Sequence, residues 1–109
     1  MRGYRIPKAS RKLDVVIVAA RYAQSGKKLA IGQAYVRRGL VWSDMKLLDR
    51  DDLIQRLEDK QRVVTGKPAK IPGEFVVSDH LRLERDNGTA TLRAGTAETK
   101  GDDLGLPLF

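Results

Sequence analysis

The sequence predicts an α+β, mainly β domain: a small curled sheet or barrel carrying one helix, in the order βββαβββ. Three observations predict it. Two β-branched, nearly continuous apolar runs flank turn residues at 24–27, a capped helical segment begins after Asp49, and Asn87-Gly88 separates two alternating runs.

Residues 1–12 hold five cations and Pro7 without apolar periodicity, which reads as a basic flexible arm. The single domain then spans 13–94. Its first hairpin joins LDVVIVAARYA (13–23) to LAIGQAYVRR (29–38). If Ser25-Gly26 is a two-residue loop, facing positions sum to 51, so Val16 opposes Tyr35, Tyr22 opposes Leu29 and Asp14 opposes Arg37. One face then collects Val16, Val18, Ala20, Tyr22, Leu29, Ile31 and Tyr35. The other collects Val15, Ile17, Ala19, Ala30, Gly32, Ala34 and Val36. With both faces apolar, a curled sheet or barrel is favoured over a flat sheet with one wet side.

Gly39 ends the second strand, and a third is expected over 40–47. Asp49 is a helix N-cap with Asp52 three residues on, and Leu48 and Leu53 are placed for a hydrophobic staple. A helix over 50–60 would bury Leu53, Ile54 and Leu57. Strands are then expected at 62–65 and 89–93, with extended structure resuming over 74–79 and alternating over 81–84 between them, a loop at 66–73 and a type I′ turn at Asn87-Gly88. An OB-like barrel, an SH3-like barrel and an open sheet bearing one helix all fit this order.

The chain's 109 residues suffice for one hydrophobic core, and its longest apolar run, 15–20, is far below the ~20 residues of a spanning helix. No hydrophobic segment follows the N-terminal charges, so a cytoplasmic, non-membrane protein is expected. The absence of cysteine excludes disulfides, thiol catalysis and thiolate metal sites. No catalytic group, metal or cofactor is expected. Ser78, Asp79 and His80 are consecutive strand residues that point to alternating faces and cannot form a hydrogen-bonded triad. Asp49, Asp51 and Asp52 are accounted for as helix-start chemistry.

Charge placement points instead to binding. The net charge is +7, but residues 1–46 balance to +9 and the remainder to −2. Clustered cations displace the counterions condensed on a phosphate backbone, so single-stranded nucleic acid is the expected partner. Hairpin pairing brings Arg11 and Lys12 beside Arg37 and Arg38, with Lys27 and Lys28 at the far end and Trp42 as a stacking platform. The alternative is a protein-interaction or structural domain whose basic charge is incidental.

The last segment, 95–109, is expected as a flexible acidic and apolar tail. Its Asp103, Leu104, Leu106, Pro107, Leu108 and Phe109 resemble the short peptide with which bacterial replication and repair proteins grip the sliding clamp, although Asp103 stands in place of that motif's glutamine. Asp102, Asp103, Pro107 and Phe109 also resemble the acidic tail of bacterial single-stranded DNA-binding proteins, with a longer spacer and Leu108 intervening. Either resemblance implies recruitment of a replication or repair protein. Residues 13–84 resemble an uncharacterised family of small bacterial domains through the strand from Ile17 to Tyr22, a helix opening with Arg50, and Val64-Thr65. That resemblance implies no activity.

Overall fold

The computed structural model describes residues 12–23, 28–71, 74–95 and 101–109. In chain order the elements are β1 (Val15–Tyr22), β2 (Leu29–Arg38), β3 (Val41–Trp42), β4 (Lys46–Asp49), α1 (Arg50–Glu58), β5 (Val63–Pro68), β6 (Phe75–Asp86) and β7 (Thr89–Ala94). They form a small α+β domain, mostly strands, in which one sheet curls into a half-barrel. The hydrogen-bonded order is β3-β2-β1-β5-β6-β7, with β4 also on β2. All pairings are antiparallel except β1 with β5.

The hairpin forms with the expected register over Val15↔Val36, Val16↔Tyr35 and Ile17↔Ala34. Register then shifts between Ile17 and Ala19, where Val18 has no partner, and shifts back between Arg21 and Tyr22. The extra residue Val18 turns the later side chains of β1 to the opposite face, and Ala30, skipped at the second shift, does the same for Leu29 on β2. The expected face assignment is corrected accordingly: Val16, Val18 and Tyr35 stay together, whereas Ala20, Tyr22 and Leu29 join Val15 and Ile17 in the main core.

The expected third strand is two short ones, β3 and β4, both on β2 and separated by Ser43 to Met45. The Ser43 hydroxyl accepts from Val36 N at 3.0 Å and donates to Asp44 O at 2.8 Å, which diverts the chain between them. The helix starts as expected, its N-cap Asp49 carboxylate accepting from Asp52 N at 2.8 Å. Leu53 is fully buried, and Ile54 and Leu57 pack beside it. The helix ends at Glu58 rather than 60, with Lys60 at φ 64° turning the chain away.

Strand β5 runs through Gly66 to Pro68, into the stretch expected as a loop. Gly66 permits this, because a Cβ there would lie 2.6 Å from the Val76 carbonyl oxygen. The extended stretches expected at 74–79 and 81–84 belong to one twelve-residue strand, β6, whose first half pairs with β5 and second half with β7. Asn87 and Gly88 both take positive φ, 51° and 80°, as a type I′ turn requires.

Two apolar clusters lie on opposite faces of β1. The larger holds Val15, Ile17, Leu53, Val63, Leu92 and Leu104, and the smaller holds Val16, Trp42 and Val64 with Tyr35 and Phe75 beside them. Among the described residues no helix is long and apolar enough to cross a membrane.

Candidate functional site

The described part of the terminal segment is not free. Asp103 pairs with Arg93 of β7 and Leu108 with Ala20 of β1, both parallel, so residues 101–109 bridge the edge of β7 to the far half of β1. Leu104 is fully buried and Leu106 packs against the main core. The Asp102 carboxylate is the anchor: it accepts from Leu29 N at 2.7 Å, Leu92 N at 2.9 Å and Arg50 Nε at 2.7 Å. Arg50 in turn donates to Ala90 O at 2.5 Å, so the ion pair caps the exposed edge of β7. The Phe109 ring lies under the Arg21 guanidinium at 4.4 Å, and Arg21 Nε donates to the Phe109 carbonyl at 3.0 Å. Of the six residues expected to grip a partner, Leu108 is exposed at 73 %, while Leu104 and Leu106 are spent on the chain's own body. Docking replaces the expected flexible tail here because an edge strand and two apolar side chains are covered together.

The expected basic site is only partly assembled. Arg11 and Lys27 lie outside the described residues. Lys12, Lys28 and Arg38 are exposed. Arg37 is engaged within the fold: it meets Asp14 Oδ1 at 3.1 Å and donates to the carbonyls of Leu13 and Gly39. The Asp14–Arg37 pairing expected from hairpin register is therefore present, and it consumes a cation counted toward the phosphate site. Trp42 cannot serve as an open platform. It is 4 % exposed, its ring meeting Phe75 edge-on at 5.0 Å. Charge counting could not foresee how these cations are spent, since among the described residues most arginines have acidic partners: besides Arg37, Arg50 with Asp102, Arg56 with Asp52, Arg85 with Glu58, and Arg82 and Arg93 with Glu84. Hydrogen bonding from Arg93 is the largest influence holding the Glu84 carboxyl below its ordinary range.

Concavities among the described residues include two that bear on binding. The first is a polar hollow of about 420 Å³ between α1 and the β2–β4 end of the sheet, lined by Arg38, Lys46 and Arg56 together with Asp52. Arg38 belongs to the sequence-derived set; Lys46 and Arg56 do not, because only the sheet curl brings β4 and the helix to it. Arg56 already meets Asp52 at 2.5 Å, whereas neither Arg38 nor Lys46 has an ion-pair partner among the described residues. The second is an apolar cleft of about 320 Å³ walled by Tyr35, Trp42 and Phe75.

Ser78, Asp79 and His80 are all exposed. Ser78 is skipped where β6 shifts register against β5, and the Thr65 hydroxyl takes the Asp79 N–H at 3.2 Å. No nucleophile, base and orienting group converge there. Comparisons with protein-family models, curated proteins and solved structures returned no match to this chain.

Proposed function

We propose that this chain is a non-enzymatic binding module that holds single-stranded nucleic acid by its phosphates at the hollow between α1 and the β2–β4 end of the sheet. The observation that carries the reading is the pair of uncompensated cations, Arg38 and Lys46, lining the same concavity as Arg56. Phosphate attraction needs no reading of bases, which agrees with the burial of Trp42. Recruitment of a replication or repair partner by residues 103–109 would have to pull Leu104 from the core and strand the Asp102 carboxylate, so the hollow and not the tail carries the proposal. A protein-interaction role is the second reading, favoured by the exposed Leu40, Met45, Leu47 and Ile71.

Fluorescence anisotropy with labelled single-stranded DNA and RNA across a salt series tests it. Three cation contacts predict a log-log salt slope of about −2. The double variant Arg38→Glu, Lys46→Glu is expected to abolish binding while thermal stability holds. A slope near zero, or binding unchanged in the variant, removes the reading.

A further inference from the structure

The charges around the basic hollow are laid out for one phosphate and not for a run of them. Arg38 of β2 and Lys46 of β4 line it with no ion-pair partner among the described residues, so two positive charges stand uncompensated. Arg56 is neutralised by Asp52, which lines the same hollow. On that side the start of α1 adds the exposed carboxylates of Asp49 and Asp51. Arg37, the neighbouring cation on β2, is tied to Asp14 and to the carbonyls of Leu13 and Gly39.

A strand running through a site carries a negative charge about every 3.4 Å, and proteins that track one line a groove with cations along its length. Here the attraction is confined to a single pair of cations with acids at its flank. A phosphodiester continuing past the start of α1 would meet Asp49, Asp51 and Asp52 and be repelled. Two free positive charges match the dianion of a phosphate monoester, which carries about −1.5 to −2 at neutral pH, whereas an internal phosphodiester carries a single charge. The size of the hollow agrees, since about 420 Å³ falls in the range of small-ligand sites, roughly 300–1,000 Å³. No aromatic side chain lines it among the described residues, so nothing there favours stacking a base over seating a charged end.

We propose that the hollow is an end-binding site: it takes the terminal phosphate monoester of a single strand, 5′ or 3′, between Arg38 and Lys46, and the rest of the strand leaves away from the start of α1. The assignment rests on the reading of the hollow as a nucleic-acid site and narrows it from any phosphate to a terminal one.

Fluorescence anisotropy of the full chain with one short single strand, labelled internally and carrying a 5′-phosphate, a 3′-phosphate or hydroxyls at both ends, tests it. A phosphorylated end is expected to bind about tenfold more tightly than hydroxyl ends, from two exposed ion pairs worth roughly threefold each. Blocking the terminal phosphate as its methyl diester removes one charge and is expected to abolish most of that advantage. Lys46→Gln leaves one free cation and is expected to cut the advantage to about threefold at unchanged Tm. Arg38→Gln, at an exposed position, is expected to do the same. Equal binding of phosphorylated and hydroxyl ends overturns the end-binding assignment and leaves a general phosphate site, whereas no binding of any strand overturns the nucleic-acid reading with it. An advantage that survives intact in the methyl diester, or in both variants, also overturns the assignment, because charge matching at this pair would not be its source.

Discussion

Replacing Asp102 with alanine removes one carboxylate that serves three donors from three elements: Leu29 N at the start of β2, Leu92 N on β7 and Arg50 at the start of α1. The Asp102 side chain is 2 % exposed and that of Arg50 16 %, so water cannot readily replace what is lost. Each orphaned buried N–H costs about 1–3 kcal/mol. Breaking a buried ion pair from one side costs about 3–5 kcal/mol. These contributions overlap, because Arg50 keeps its bond to Ala90 O, and a total of about 5 kcal/mol, the low end of their sum, is expected. Set against the roughly 5–15 kcal/mol of a whole domain, that is a large fraction. Urea unfolding followed by Trp42 emission reads it as a fall in midpoint at unchanged slope. Burial by itself would raise the Asp102 carboxyl, but hydrogen bonds from Arg50, Leu92 N and Leu29 N together with the Arg50 charge outweigh it and hold the group below its ordinary value. A group lowered on folding contributes stability above its unfolded pKa, ~3.9, and loses that contribution as pH falls through the lower folded value. Wild-type stability is therefore expected to decline below about pH 4 with a component missing from Asp102→Asn. A loss under ~1 kcal/mol for Asp102→Ala, with an unaltered acid profile in Asp102→Asn, would refute the claim that this carboxylate holds the terminal segment to the sheet.

Tyr22→Phe removes the hydroxyl that accepts from Leu104 N at 3.1 Å and is expected to cost about 1 kcal/mol by the same unfolding assay. Burial is the main cause raising the Tyr22 hydroxyl above its ordinary value, so its contribution is present below pH ~10 and lost as pH climbs through the folded value; alkaline unfolding should lack this component in Tyr22→Phe. Gly66→Ala drives a methyl to 2.6 Å from the Val76 carbonyl oxygen, where backbone and not a flexible side chain must yield. A loss of about 2 kcal/mol is expected, read as a fall of roughly 8–16 °C in Tm, and an unchanged Tm would show that the β5–β6 register can relax there.

The parts of the fold legible in the sequence are those encoded within a few residues. Asp49 before an apolar stripe marks the helix start, Asn87-Gly88 marks the last hairpin, and the pairing of Asp14 with Arg37 follows from counting across one turn. The bulge at Val18 has no such local signature, which is why Ala20 and Tyr22 were expected on the wrong face. The terminal segment did carry a signal. Leu104, Leu106 and Leu108 recur at period two, the spacing of a strand looking for an edge.

By itself, then, the sequence determined a mainly β chain with one capped helix, apolar enough on both faces of its first hairpin to curl. Tertiary structure alone decided what each charge and ring does: Arg50 meets Asp102 across 52 positions, β1 lies parallel to β5, and Trp42 turns inward against Phe75. The physical reason is range. Capping, turn conformation and alternation act over three or four residues and leave their mark in composition, whereas ion pairing, edge covering and burial depend on which distant segments the curled sheet brings within a hydrogen bond of one another.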